Sequence, residues 1–404
     1  MLITIAWRNI WRSRARSLLI IGAIVLGVWA LAFINSWITG IGDMYIAEII
    51  NNQTSHIQIH TPTFLEENES EFVIPNSEEV LESVKRTEGV KSVVPRIITS
   101  GIINSPRASK GVMIKAVDPK GEAEVTDLKG KIKEGEYFDN DKLNAILIGQ
   151  ALADKLKIKV GKKISLQYQD MEGELTGQVY RIIGLYRTGN TRLDERIVYT
   201  RINDFSPVFK NHGNYHEMAV VLNDIKDTRT IAKGLQIVHN DVKVQTYEEV
   251  QPMIKLFETQ FQATGGVITF IVMIALIFGI INTMLMAVLE RIKELGILMA
   301  IGMNRIKIFG MIVLETLMLS LVGLPVGVFL GFITVTYLNK YGIDLSAYED
   351  SLAEYGMSSM IYPSIDSSFY LSVSVAVFFT ALLASIYPAF KATRLRPIEA
   401  INKI

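Results

Sequence analysis

The 404-residue sequence contains no cysteine. That excludes a disulfide framework, a thiolate nucleophile, Cys-ligated zinc and iron–sulfur clusters. It has no surplus of charge, with 41 Lys+Arg against 41 Asp+Glu, so a nucleic-acid binder working through a basic surface is not expected. It has no G-x-x-x-x-G-K-[ST] phosphate loop. The nearest piece, Gly161-Lys162-Lys163, has Lys163 where a hydroxyl is needed and Leu156 where the first glycine belongs, so the amide cradle for nucleotide phosphates is missing. Histidine is scarce, five in all. His212 and His216 are four apart, but Gly213 and Asn214 between them indicate a loop. His56 and His60 lie on an alternating, strand-like piece, which would separate them by about 13 Å. No metal site, Ser–His–Asp arrangement or carboxylate pair can be argued, and no catalytic site is expected in this chain.

What is abundant is apolar sequence. Hydrophobic residues make up 49% and the mean hydropathy is +0.28, yet 20% of residues are charged. Such a mean implies very apolar stretches set beside an ordinary globular part. Four windows fit: Ser17–Gly42, Ala263–Leu289, Ile308–Asn339 with only Glu315 charged, and Ser367–Phe390. Each exceeds the ~20 residues that cross a bilayer core. The third is longer than needed and tilts or protrudes. The first is too long for a signal-peptide core and lacks a small-x-small cleavage pattern, so it reads as an uncleaved anchor.

Lys and Arg orient the helices. Arg8, Arg12, Arg14 and Arg16, then Arg291, Lys293, Arg305 and Lys307, then Lys391, Arg394, Arg396 and Lys403 fall on one side. Residues 340–366 carry one lysine and five acids. Both termini are therefore expected in the cytoplasm. The expected fold class is an α+β membrane protein: four transmembrane helices, with a large α+β extracytoplasmic domain between helices 1 and 2. Along the chain this gives a cytoplasmic interfacial helix at 1–16 and helix 1 at 17–42. The extracytoplasmic domain follows at 43–262 and helix 2 at 263–289. A cytoplasmic loop covers 290–307, helix 3 308–339, an outer loop 340–366, helix 4 367–390 and a cytoplasmic tail 391–404. The first segment, with Ile3, Trp7, Ile10 and Trp11 on one face, either lies along the leaflet or extends helix 1 downward.

In the outer domain, 56–60, 90–98, 218–222 and 242–244 read as strands. Asn76 with Glu79 suggests a capping box before Val80, Leu81 and Val84, and Ile231, Leu235 and Val238 give a second helical face. Two strand–helix–strand units thus flank a β-rich middle, about 111–201, read as an inserted second subdomain with a short helix near Ala151–Leu156. Val250, Ile254, Phe257 and Phe261 form an apolar stripe leading into helix 2. Its helix starts either at Thr246, capped with Glu249, or near Gln251 with Pro252 in the first turn.

Three further features carry candidate sites. Glu290 and Glu294 share one helix face below helix 2, and Gly296 and Gly302 bracket the apolar piece 297–301, which wants a partner surface or the membrane interface; the bland alternative is a simple basic loop. Glu315 is costly in an apolar helix and serves either a proton relay or structure. Gly323, Gly327 and Gly331 make a four-spaced stripe for close helix packing, with Pro325 beside it.

The order of parts resembles the FtsX-like, MacB-type permeases of ABC transporters. The likeness rests on Ala6-Trp7-Arg8-Asn9-Ile10, on the large domain between helices 1 and 2, on Glu290-Arg291-x-x-Glu294-Leu295-Gly296 with Ala300-Ile301-Gly302, and on Tyr387-Pro388-Ala389-x-Lys391-Ala392 followed by Arg396-Pro397-Ile398-Glu399-Ala400. His56–His60 after Asn51-Asn52-Gln53-Thr54-Ser55, and Gly149-Gln150-Ala151-Leu152-Ala153, look closest to the lipoprotein-releasing branch. The resemblance implies a porter-like outer part plus an inserted β-rich part, and a non-catalytic subunit of the inner membrane with the outer domain periplasmic. The 290–302 segment, with Glu290, Arg291, Glu294, Gly296 and Gly302, would couple to a separate ATPase that binds ATP and Mg. A second permease subunit, the same or a sister chain, would complete the transporter. Lipoproteins or other amphipathic substrates would be lifted from the outer leaflet by mechanotransmission. From their spacing, Val25, Trp29 and Phe33 at i, i+4, i+8 of helix 1 and the stripe residues Phe257 and Phe261 are expected to line an apolar pocket between two subunits, open at the outer leaflet. Related readings are a peptide, toxin or drug exporter with a periplasmic adaptor, and a regulator of cell-wall hydrolases, whose outer domain is much smaller. The lipoprotein-releasing branch uses an extended hairpin hook for its soluble carrier; here the hairpin 164–186 leaves at most about ten tip residues near Asp170–Gly177, so no hook is evident.

Overall fold

The computed structural model describes residues 7–10, 12, 14–64, 70–139, 143–211 and 213–394. Ile3, Ala6, Trp11, His212 and the Arg396–Ala400 motif lie outside these residues. The chain divides into two compact units. A helical unit comprises Met1–Gly42, Glu258–Asp344 and Met360–Ile404; a sheet unit comprises Asp43–Phe257 and Leu345–Ser359.

The main helices are α1 (Arg14–Ile49), α2 (Met253–Glu290), α3 (Ile292–Ala300), α4 (Arg305–Tyr341) and α5 (Ser367–Thr393). All but α3 are long and apolar enough to cross a membrane, with mean hydropathy of 2.6, 2.6, 2.2 and 2.1 in their most apolar windows. Each runs past the apolar window read from sequence. α2, for example, begins at Met253 rather than Ala263, because hydropathy marks only the lipid-compatible part. Glu258, Gln260 and Gln262 are good helix formers and continue the same hydrogen-bond ladder. Inside the helical unit, Ile24, Val28, Leu31, Leu276, Ile280, Leu319, Val377 and Ala381 form the core. Leu26, Phe270, Phe329 and Leu371 point outward and are at least 62% exposed, an apolar belt that lipid covers. A Cβ placed on Gly323, Gly327 or Gly331 would meet the Cβ of Ile24, Val28 or Ala32 of α1 at 3.1, 2.8 and 2.8 Å. The stripe is therefore the line along which α4 meets α1, and α4 continues through Pro325.

In the sheet unit the strands are β1 (Ile57–His60), β2 (Val90–Asn104), β3 (Ser109–Val117), β4 (Ile132–Gly135), β5 (Ala145–Gly149), β6 (Lys163–Gln169), β7 (Leu175–Tyr186), β8 (Ile197–Arg201), β9 (Glu217–Leu222) and β10 (Lys243–Thr246). They form one sheet in the order β10-β1-β9-β2-β3-β8-β5-β7-β4, with β6 against β2 and β7. The expected flanking part (β1, β9, β10) and middle part (β3 to β8) are hydrogen-bonded into this one sheet. β2 is fifteen residues long; Val90–Arg96 pairs with β9, Gly101–Asn104 with β6, and Arg96–Asn104 with β3. One long strand thus welds both regions into one sheet, while each keeps its own apolar core, around Ile57, Met218 and Val220 and around Ile114, Ile148 and Ile182.

Two local expectations change as well. The helix Ser77–Lys85 forms, but Asn76 adopts a left-handed conformation and makes no capping bond; Ser77 Oγ donates to the Ile74 carbonyl at 2.6 Å instead. The β6–β7 tip is only residues 170–174, since the strands zip from Gln169 to Leu175. At the end of the sheet unit Thr246 and Glu249 do form a capping box, with Thr246 N–H donating to Glu249 Oε2 at 2.9 Å. The helix it starts ends at Val250, and α2 begins after Pro252, which lacks the N–H to continue a ladder. Elements of both sequence alternatives are present.

Candidate functional site

The richest cluster of charge in the helical unit sits where α2, α3 and α4 meet. Arg291 lies outside helical geometry between α2 and α3. Its guanidinium turns inward: Nη1 donates to Glu315 Oε1 and Oε2 at 3.0 and 3.3 Å, and Nη2 to the Asn9 carbonyl at 2.9 Å. Both side chains are nearly buried, 12% and 9% exposed. Glu315 is thereby a fixed ion-pair partner that ties α4 to the α2–α3 junction and to the segment before α1. Two more pairs join there: Arg12 of that segment with Glu294, and Arg16 in the first turn of α1 with Glu290. Between them lies a cavity of about 370 Å³ whose floor includes Met284, Val288, Leu295 and Ile312.

α3 presents two faces. Ile292, Leu295 and Gly296 are buried. Ile297 is 48% and Ile301 79% exposed. Gly302, at φ +100°, ends the helix in a Schellman motif: Gly302 N–H donates to Met299 and Met303 N–H to Leu298. Asn304 then caps α4 by accepting from Ile306 N–H at 3.2 Å. Of the five residues read as coupling to a partner, only Glu290, Glu294 and Gly302 reach the surface. Arg291 and Gly296 face the interior, so they shape α3 rather than present it. The sequence offered one hint of the Arg291–Glu315 pair, a lone carboxylate in an apolar run, but no hint of its partner.

Each residue read as part of a substrate pocket has a contact within its own unit. Trp29 Nε1 donates to Thr334 Oγ1 of α4 at 3.0 Å, and Trp29 stacks on Phe33 with centroids 6.1 Å apart. Val25 backs onto Gly327. Phe257 packs edge-on against Tyr45 at 4.8 Å in the sheet unit, and Phe261 lies beside Gly42 in the helical unit.

In the sheet unit the histidines serve structure. His56 Nδ1 accepts from Leu222 N–H at 2.9 Å, His60 Nε2 meets Gln245 Oε1 at 2.9 Å, and His216 Nε2 meets the Ser70 carbonyl at 3.0 Å. Asp170, Glu172 and Glu174 could converge on a cation, but Lys210 Nζ already pairs with all three. One charged group sits in the interior without sequence warning. Arg96 donates to Glu122 through Nε and Nη2 at 3.0 and 2.7 Å and to Glu217 through Nη1 at 2.7 Å. Burial alone would raise the Glu217 carboxyl, but Lys115 and Arg96 hold it below its usual range.

A model of the MacB-like periplasmic core domain matches residues 17–237, and one of the FtsX-like permease C-terminal region matches 266–397. The chain belongs to the MacB/FtsX family of ABC transporter permeases. An uncharacterised ABC transporter permease of Methanocaldococcus jannaschii is 26% identical over 99% of this chain and 97% of its own length. The lipoprotein-releasing system transmembrane protein LolC of Neisseria meningitidis is 21% identical over 95% and 92%. The macrolide export ATP-binding/permease protein MacB of Agrobacterium fabrum is 23% identical over 98% of this chain and 59% of its own. Four apolar helices and this family make the chain a multi-pass membrane protein, and an ABC permease works with a partner ATPase. No catalytic residue is assigned to the permease itself.

Proposed function

We propose that this permease converts ATP hydrolysis by a separate subunit into movement of its sheet unit, lifting a lipoprotein or similar amphipathic substrate from the outer leaflet. The observation that carries this reading is α2, one unbroken helix from Met253 to Glu290, about 57 Å long at 1.5 Å per residue. Its first turns belong to the sheet unit and its last residue adjoins Arg291 and α3. Beside it, Phe257 of α2 touches Tyr45 of α1, so both helices leaving the sheet unit move together there. The exposed apolar residues Ile297 of α3 and Ile301 just after it, flanked by Lys293 and Arg305, form the surface for the ATPase, with ATP and Mg held by that partner. Both termini and α3 then lie in the cytoplasm, and a second permease chain completes the pathway.

The likeness to LolC supports lipoprotein release. The five-residue tip between β6 and β7 gives a soluble carrier no long hook, which favours the second reading, a MacB-like exporter of peptides, toxins or drugs. Mass spectrometry of material co-purified with the complex separates the two. The mechanism itself is tested by inserting Gly-Gly-Ser after Gln262. Complex assembly and basal ATP hydrolysis should survive while substrate release is lost; intact release would show that a rigid α2 is not the transmitter.

A further inference from the structure

The sheet unit holds a second cavity, about 610 Å³, away from every residue discussed as a transport or coupling site. It lies over the face of the sheet that carries Gln58, Glu217 and Lys115. Its volume is in the range of ligand sites. One of its polar atoms is buried without a partner, and a lysine that makes no pair opens onto it. Gln58 is 4% exposed; its Nε2 donates to the Gln53 carbonyl at 3.2 Å, but Oε1 accepts nothing. Lys115 is 6% exposed, and among the described residues its ammonium makes no hydrogen bond or ion pair within 4 Å. Glu217 and Glu122 favour its charge only from farther away, while burial and Arg96 push its pKa down. A buried acceptor left unmet is costly unless a ligand meets it, and the same cavity offers an unpaired ammonium.

The ladder fixes their separation. Gln58 pairs with Ala219, and Ala219 with Val94; Lys115 pairs with Ile98, four residues further along β2. Three strand spacings and four residues put the two Cα atoms about 19 Å apart, the span of an extended chain of five or six residues. Between them on the ladder lies Glu217, whose charge is taken up by Arg96 at 2.7 Å; Met113 and Gly101 continue the lining beyond Lys115. At the Lys115 end, Arg96 and Lys115 balance Glu122 and Glu217, and the exposed Arg196 on the rim leaves one positive charge in excess.

We propose that this cavity binds a short extended peptide ending in a free carboxylate, the carboxylate meeting Lys115 and Arg196 and a backbone N–H donating to Gln58 Oε1. The peptide is read by its end and its backbone, so its side chains vary. The full chain in nanodiscs, without ATPase, is titrated with a glycine–alanine hexapeptide as free acid and as C-terminal amide, followed by calorimetry. The free acid should bind about tenfold more tightly than the amide, the weight of one charge-assisted contact. Lys115→Met and the fold-neutral Arg196→Ala should each shrink that preference, and Gln58→Leu should weaken both forms alike. Equal binding of acid and amide, no binding at ~1 mM, or an unchanged preference in Arg196→Ala would overturn the assignment. Because neither ATPase nor transport enters the measurement, such a failure leaves the permease reading untouched.

Discussion

Glu294 shows how one side chain acquires two readings. Its spacing from Glu290 suggests a face for the ATPase, and the structure gives it a partner of its own, Arg12. The readings separate in a charge swap. Glu294→Lys should impair coupling in either case; adding Arg12→Glu should restore it if the internal pair matters, and not if the ATPase contact does. Pull-down of the ATPase by the single and double variants measures this. An exposed pair contributes roughly 0–1 kcal/mol, so the effect should appear in coupling rather than in melting temperature. His216 acts on stability instead. Burial lowers its pKa to about 4: Nδ1 accepts from Ile98 N–H and Nε2 meets the Ser70 carbonyl, an arrangement only the neutral ring can make. The unfolded chain binds a proton near pH 6.5, the folded one near pH 4. Its contribution is therefore intact above 6.5 and is lost as pH falls to 4, by about 3 kcal/mol at 1.36 kcal/mol per unit. Asp194, raised to about 6 by burial, works the opposite way between 3.8 and 6. The difference between parent and His216→Gln melts across pH 4–7 isolates the histidine; parallel curves would show that it is not the source.

At the scale of elements, the same physics makes some features legible and hides others. The Thr246–Glu249 box is local, three residues apart, and it formed. The Asn76–Glu79 pair has the same spacing and did not, because Ser77 Oγ was drawn to the Ile74 carbonyl and Asn76 turned left-handed. The glycine stripe of α4 was legible as a packing face, since small residues at i, i+4, i+8 have few other uses in an apolar helix. Its partner, Ile24, Val28 and Ala32 of α1, was not. Gly327→Leu should drive a side chain into Val28 and destabilise the helical unit by about 1–3 kcal/mol, read as a lower melting temperature in detergent; Gly310→Ala, with open space around it, should not. α1 and α2 run about three turns past their apolar windows and α4 and α5 about one, because lipid compatibility ends before helical hydrogen bonding does.

At the scale of the whole molecule, the segment between α4 and α5 is expected from sequence as an extracytoplasmic loop. Leu345–Ser359 within it belongs to the sheet unit, where Arg187 pairs with Glu349 at 3.3 Å and Asn190 closes on Gly356. Three parts of the chain thus enter the sheet unit from the membrane helices: α1, α2 and this segment. The permease alone, lacking a phosphate loop, should hydrolyse no ATP; mixed with its ATPase it should change that activity when substrate is present, because both sites can bias one shared equilibrium. A phosphate-release assay with and without the permease checks this, and an ATPase rate indifferent to permease and substrate would count against coupling.

What the sequence by itself determined were properties carried by neighbouring residues: the four membrane helices, the capping box at Thr246, the apolar stripe into α2 and the family. Each follows from the chain's local response to water or lipid, which a linear pattern records. Only the tertiary structure decided which distant residues meet. Arg291 found Glu315 24 residues away, Glu294 found Arg12 across 282, and Arg96 gathered Glu122 and Glu217. Likewise β2 joined two expected subdomains into one sheet, and the same folding left Gln58 and Lys115 facing one cavity. Such pairings depend on strand order and helix packing, and a buried charge reveals itself only when its partner is brought beside it.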